Sequence, residues 1–129
     1  MSTPTTIILY GIPNCDTVKK ARAWLAGQGL AYQFHDFKKQ GVPVERLSAW
    51  MAAVGWDKLL NRQGTTWRKL DAATQAAVHD APSARALMLE QPSIIKRPVV
   101  EWRQGGTLRV TVGFDAAQWS EPVPNGPTV

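Results

Sequence analysis

The stretch "YGIPNCDTVKKARAWL", Tyr10 to Leu25, carries the only cysteine of the chain, Cys15, and the change of period on which the fold turns. Just upstream, "TIILY" (Thr6 to Tyr10) is short, β-rich and apolar almost throughout, the pattern of a buried strand. Gly11 and Pro13 break it. From Asp16 onward Val18, Ala21, Trp24 and Leu25 share one helical face, while Lys19, Lys20 and Arg22 fall elsewhere. Gly27 and Gly29 end that helix. "AYQFHDF" (Ala31 to Phe37) then alternates apolar and polar residues, as a second strand does. Strand, helix and strand with short connections imply a parallel pair joined by a right-handed crossover.

Cys15 thus stands where strand gives way to helix. The first N–H groups of a helix have no partner within it, and the macrodipole places partial positive charge there. Both favour a thiolate over a thiol and lower a cysteine pKa from its free value of about 8.5. Lys19, one turn on, adds positive charge, and Asp16 opposes it. A free cysteine is also a small hydrophobe suited to a core, but the Pro-Asn-Cys-Asp-Thr surroundings are polar and loop-like. Asn14, just before the cysteine, can donate to a sulfur or shape a turn. Three residues after Cys15 stands Val18, so no dithiol mechanism is available within one chain. A disulfide formed in turnover needs a thiol from outside, such as glutathione or a redoxin.

Downstream, "VPVERLSAWMAAVG" places Leu47, Trp50, Met51 and Val54 at helical spacing and stops at Gly55. Trp56 to Gln91 reads as mostly helical, with Pro82 in a first turn and Pro92 as a stop. "PVVEW" and "TLRVTVGF" read as two strands joined across Gly105–Gly106, a hairpin signal. "DAAQW" gives a short terminal helix. The expected organisation is one α/β domain over residues 1–119, with a helical insertion at about 56–92, and a flexible tail at 120–129 rich in proline and polar residues.

The 129 residues suit one core. No apolar run approaches the roughly 18 residues needed to span a bilayer, and "MSTPTTIILYG" lacks the basic segment of a secretory signal. A single cysteine permits no internal disulfide, which fits the reducing cytoplasm. The net charge of +5 favours anionic small molecules. Its charges are scattered, without the basic stripe of a nucleic-acid surface, so nucleic acid and membrane are not expected as partners. His35 and His79 lie too far apart in the chain for ligand spacing, so no metal site is expected. The tryptophans, Trp24 and Trp50 most clearly, read as packing.

With "GIPNCDTVKKARAWL", three further segments carry a resemblance: "LLNRQGTTWRKL" (Leu59 to Leu70), "IIKRPVVEW" (Ile94 to Trp102) and "VGFD" (Val112 to Asp115). Together, and in this order, they resemble the arsenate reductase-like family with a thioredoxin fold, the ArsC/Spx group, and within it the YffB-type branch. The resemblance implies a four-stranded mixed sheet with helices on both faces and a helical insertion before the third strand. It implies that Cys15 is the nucleophile, that Arg62 and Arg97 match two of three arginines that hold the oxyanion and stabilise the thiolate, and that Pro98 is a cis-proline facing the thiol. Gly113 stands where the third arginine belongs, with Arg109 four residues too early. Gly11 replaces a histidine that precedes the cysteine in arsenate reducers, and Val18 replaces a serine. Arsenate is therefore not the expected substrate.

The resulting expectation is a glutathione-dependent thiol–disulfide oxidoreductase. Cys15 is its catalytic residue; Arg62, Arg97, Pro98, Asn14 and Lys19 bind glutathione or substrate. No cofactor is expected to be bound, glutathione serves as reductant, glutaredoxin is a candidate partner, and a monomer is expected. The alternative is an Spx-like, redox-sensitive protein-binding module without turnover. Spx regulators commonly carry a Cys-x-x-Cys switch, and Val18 removes the second cysteine.

Overall fold

A computed structural model describes residues 5–119. The tail expected at 120–129 lies outside the described residues. Four strands form one mixed sheet: β1 (Thr5–Gly11), β2 (Gln33–Asp36), β3 (Val99–Gln104) and β4 (Thr107–Val112), in the order β2-β1-β3-β4. β1 is central, parallel to β2 and antiparallel to β3, and β3 pairs antiparallel with β4. This is the thioredoxin-like mixed sheet expected from the sequence. Helix α1 (Asp16–Gly27) connects β1 to β2.

Strand alternation sorts the sheet into two faces. Ile7 and Leu9 of β1 and Val100 and Trp102 of β3 lie on one face and pack with Val18, Ala21 and Leu25 of α1. Trp119, from the short helix α8 (Ala116–Trp119), completes this core. Trp24, Trp102, Phe114 and Trp119 meet edge-to-face, with Trp119 centroids 4.9 to 5.7 Å from the other three. Such pairs add about 0.5–1.5 kcal/mol each beyond area burial.

Local signals explain the element ends. α1 stops in a Schellman arrangement: Gly29 has φ +70°, its N–H donates to Ala26 O, and Leu30 N–H donates to Leu25 O. β2 is shorter than the expected Ala31–Phe37 run, because Phe37 opens the helical turn α2 (Phe37–Gln40). The Asp36 carboxylate accepts the Lys38 N–H at 2.8 Å, and the Gln40 side chain accepts the Asp36 N–H at 3.1 Å. That reciprocal capping outweighs the β propensity of Phe37. The β3–β4 hairpin turns on Gly105–Gly106, with Gly105 at φ +61°.

The chain packs as two compact units, residues up to 40 with those from 97 onward, and residues 41–96. The helical insertion expected at about 56–92 falls inside the second. It contains α3 (Val44–Val54), α4 (Trp56–Leu59), α5 (Thr65–Arg68), α6 (Ala72–Ala76) and α7 (Ala81–Glu90), followed by a 3₁₀ turn at Pro92–Ile94. α3 packs on α4 and α7. Caps hold the short pieces: Asp71 accepts the Thr74 N–H at 2.7 Å, and Asp80 with Ser83 forms a capping box at the start of α7. Leu60 bridges Ile95, and Asn61 N–H donates to Ile94 O at 2.9 Å.

Candidate active site

Cys15 is the N-cap residue of α1, with φ −133° and ψ 125°, so its backbone is still extended while its carbonyl accepts the Lys19 N–H at 2.9 Å. The side chain is half-buried against the α1 face of the sheet core. Partial burial pushes the thiol pKa up. The Val18 amide, the Arg97 guanidinium through a hydrogen bond and through its charge, and the Thr17 amide together outweigh burial, and the net direction is down. The helix start acts as the sequence suggests, its first amides favouring the thiolate although the Cys15 side chain makes no capping hydrogen bond. Arg97 supplies the cationic partner.

Arg97 is half-buried and immediately precedes Pro98, which is buried. The Arg97–Pro98 peptide is cis. The Pro98 carbonyl accepts the Gly113 N–H at 2.9 Å, and Gly113 has φ +82°. The residue at the third arginine's place thus closes the end of the β3–β4 ladder with its backbone, in a conformation that disfavours any side chain. Gly11 is equally constrained. A Cβ there would lie 2.8 Å from Cγ2 of Val18, which is fully buried. The two departures at Gly11 and Val18 are therefore one packing contact.

The other expected site residues are distributed differently. Asn14 is exposed in the turn before α1, and the Lys19 side chain is exposed on the helix. Arg62 belongs to the 41–96 unit, where its Nη1 donates to Asp57 Oδ1 at 2.7 Å. Its guanidinium lies 5.6 and 5.9 Å from the rings of Trp56 and Trp67, so these two half-buried tryptophans flank a cation. The reading of tryptophans as packing fits Trp24, Trp50, Trp102 and Trp119 better than these two.

Sequence reasoning passed over Glu101, which is fully buried. It accepts the Tyr10 hydroxyl at 3.2 Å, and Arg103 approaches it at 3.3 Å. Glu101 lies opposite Ile8 in the ladder. It therefore sits on the sheet face opposite Val100 and Trp102, away from the core that backs Cys15. The signal was present as a lone acid inside the apolar run "PVVEW".

A family model described as the ArsC family matches residues 10–121. Among solved structures, a protein named YffB is 50% identical, with a TM-score of 0.79, covering 88% of this chain and 96% of its own. An arsenate reductase (ArsC) related protein from Brucella melitensis is also 50% identical, with a TM-score of 0.68, covering 88% of this chain and 91% of its own. Among curated relatives, a global transcriptional regulator Spx from Streptococcus agalactiae is 25% identical over 111 residues, 84% of this chain and 77% of the regulator. The matched span includes the strand–Cys15–helix junction, both mapped arginines and the cis-proline, and the chain is a member of the ArsC family.

Proposed function

We propose that the protein is a glutathione-dependent thiol–disulfide oxidoreductase that works through Cys15 alone. The observation that carries this is the place of the lone thiol, half-buried at the N-cap of α1, where the helix-start amides and the Arg97 guanidinium next to cis-Pro98 lower its pKa. A lowered pKa raises the share of the nucleophilic thiolate. Cys15 attacks the glutathione-side sulfur of a mixed disulfide, the S–S bond breaks, and the substrate leaves as thiolate. A second glutathione, as thiolate, attacks the Cys15–glutathione disulfide. Oxidised glutathione leaves and the Cys15 thiolate returns. The substrate sulfur is reduced to a thiolate and the incoming glutathione thiol is oxidised, the other sulfur of oxidised glutathione coming from the mixed disulfide already at that level, with no second protein thiol required.

Glutathione is placed across Cys15, Arg97 and Pro98, with Arg97 holding one carboxylate in a charge-assisted contact. Asn14 and Lys19 border the approach to the thiol. Arg62 is assigned a carboxylate of glutathione on the strength of the family pattern. Glutaredoxin is an alternative reductant, and the site requires no bound cofactor. Arsenate is expected to be a poor substrate, since Gly113 provides no third guanidinium.

The test is a substrate panel of glutathione mixed disulfides and arsenate, with oxidised glutathione formation followed through glutathione reductase and NADPH. Turnover of mixed disulfides that vanishes in Cys15→Ser is expected. Turnover equal in wild type and Cys15→Ser, or none with any disulfide, overturns the reading. The likeness to Spx supports a second reading, a redox-sensitive protein-binding module. It is favoured if a protein partner is retained by Cys15 oxidation state while no disulfide is turned over.

A further inference from the structure

The geometry points to Asp57 as an internal anion that occupies Arg62 and that an incoming carboxylate must displace. This deepens the glutathione reading and rests on it for the identity of the carboxylate. Four observations within the 41–96 unit carry it. The Arg62–Asp57 contact is short, 2.7 Å, and both side chains are open to solvent, at 44% and 69% exposure. The pair can therefore open without unpacking anything, and exposed ion pairs of this kind hold only weakly. The Trp56 and Trp67 rings, 5.6 and 5.9 Å from the guanidinium, keep the charge of Arg62 in place when its carboxylate partner is exchanged.

The loop beneath is also set. Asn61 Oδ1 accepts the Gln63 N–H at 3.1 Å in an Asx turn, and a Cβ on Gly64 would lie 2.8 Å from Asn61 Nδ2. Arg62 is thus presented from an Asx turn, with two aromatic rings within cation–π range of its guanidinium and a carboxylate on its Nη1. A guanidinium offers its N–H edge to planar anions. Asp57 occupies that edge. Its effect is to discriminate: a carboxylate ligand with a further anchor displaces Asp57, whereas a single dilute anion competes poorly.

The experiment has two arms on wild type, Asp57→Asn, Arg62→Ala, the double variant and Glu90→Gln. Glu90 is exposed and distant in sequence, and its replacement makes the same change of charge. In the first arm, Arg62 modification by phenylglyoxal is followed by mass spectrometry with and without inorganic phosphate. Asp57→Asn is expected to speed modification of Arg62 and to increase protection by phosphate; Glu90→Gln is expected to do neither. In the second arm, the KM for glutathione is expected to fall by up to about fivefold in Asp57→Asn, the factor equivalent to an exposed ion pair. The gain should vanish in the double variant and shrink at high ionic strength. Equal Arg62 reactivity in wild type and Asp57→Asn overturns the proposal, as does a KM gain that survives Arg62→Ala. If glutathione supports no turnover in wild type, the functional reading fails. The phenylglyoxal arm still decides, in that case, whether Asp57 occupies Arg62.

Discussion

At Cys15, the decisive contest is between burial, which disfavours a thiolate, and three donors that favour it. The donors prevail, so the alkylation rate of Cys15 should reach its half-maximum below the free-thiol value of about 8.5. Arg97→Ala should move that midpoint up and weaken glutathione binding by roughly tenfold, since a charged hydrogen bond contributes about 1.5–3 kcal/mol. Titrated alkylation and a binding isotherm check both. The sign for stability follows from linkage. A thiol with a lower pKa folded than unfolded adds stability that is fully present above the unfolded pKa, and that is lost as pH falls through the folded pKa. Cys15→Ser should remove this increment, visible as a flatter dependence of denaturation midpoint on pH across the interval below about 8.5.

Between elements, β1 and α1 approach so closely at Gly11 that Val18 occupies the space a side chain needs. Gly11→Ala should destabilise the fold by about 1–3 kcal/mol, the usual cost of overpacking a core, measured by chemical denaturation. Gly11→His should be worse, and should not confer arsenate reduction unless Val18 is also made smaller. Gly113 imposes a second limit, because its φ of +82° penalises an arginine at that position. Glu101 gives a contrasting case on the opposite sheet face. Glu101→Leu removes the acceptor of the Tyr10 hydroxyl and should cost about 1–3 kcal/mol, yet leave the pH profile of Cys15 alkylation unchanged. A shifted profile would mean that the buried acid communicates with the thiol through the sheet.

For the molecule as a whole, the net charge of +5 is scattered over both units. It should speed and strengthen association with the anionic tripeptide without specifying where the tripeptide binds. Raising ionic strength from about 0.02 to 0.5 M shortens the Debye length from roughly 20 to 4 Å. The KM for glutathione should then rise several-fold with little change in kcat. An unchanged KM would argue that the ligand is held by apolar contacts. Each unit has its own buried residues, including Trp102 in the first and Trp50 in the second. None of the described helices is long and apolar enough to cross a membrane.

The sequence by itself determined the order of the sheet-forming segments, the helix beginning after Cys15 and the hairpin at Gly105–Gly106. Each is encoded by a local period or a local backbone demand, read within a few residues. The family pattern likewise marked Cys15, Arg97 and Pro98. Only the tertiary structure decided between Lys19 and Arg97 at the thiol: Lys19 is one helical turn away in sequence, but its side chain is exposed, while Arg97, marked by the family pattern, arrives from just before β3. It alone showed that Gly11 and Val18 depend on one another, that Glu101 is buried with a partner from β1, and that Arg62 is taken by Asp57. These are contacts between segments, and side-chain chemistry there follows from how strands register and helices pack, which no local period records.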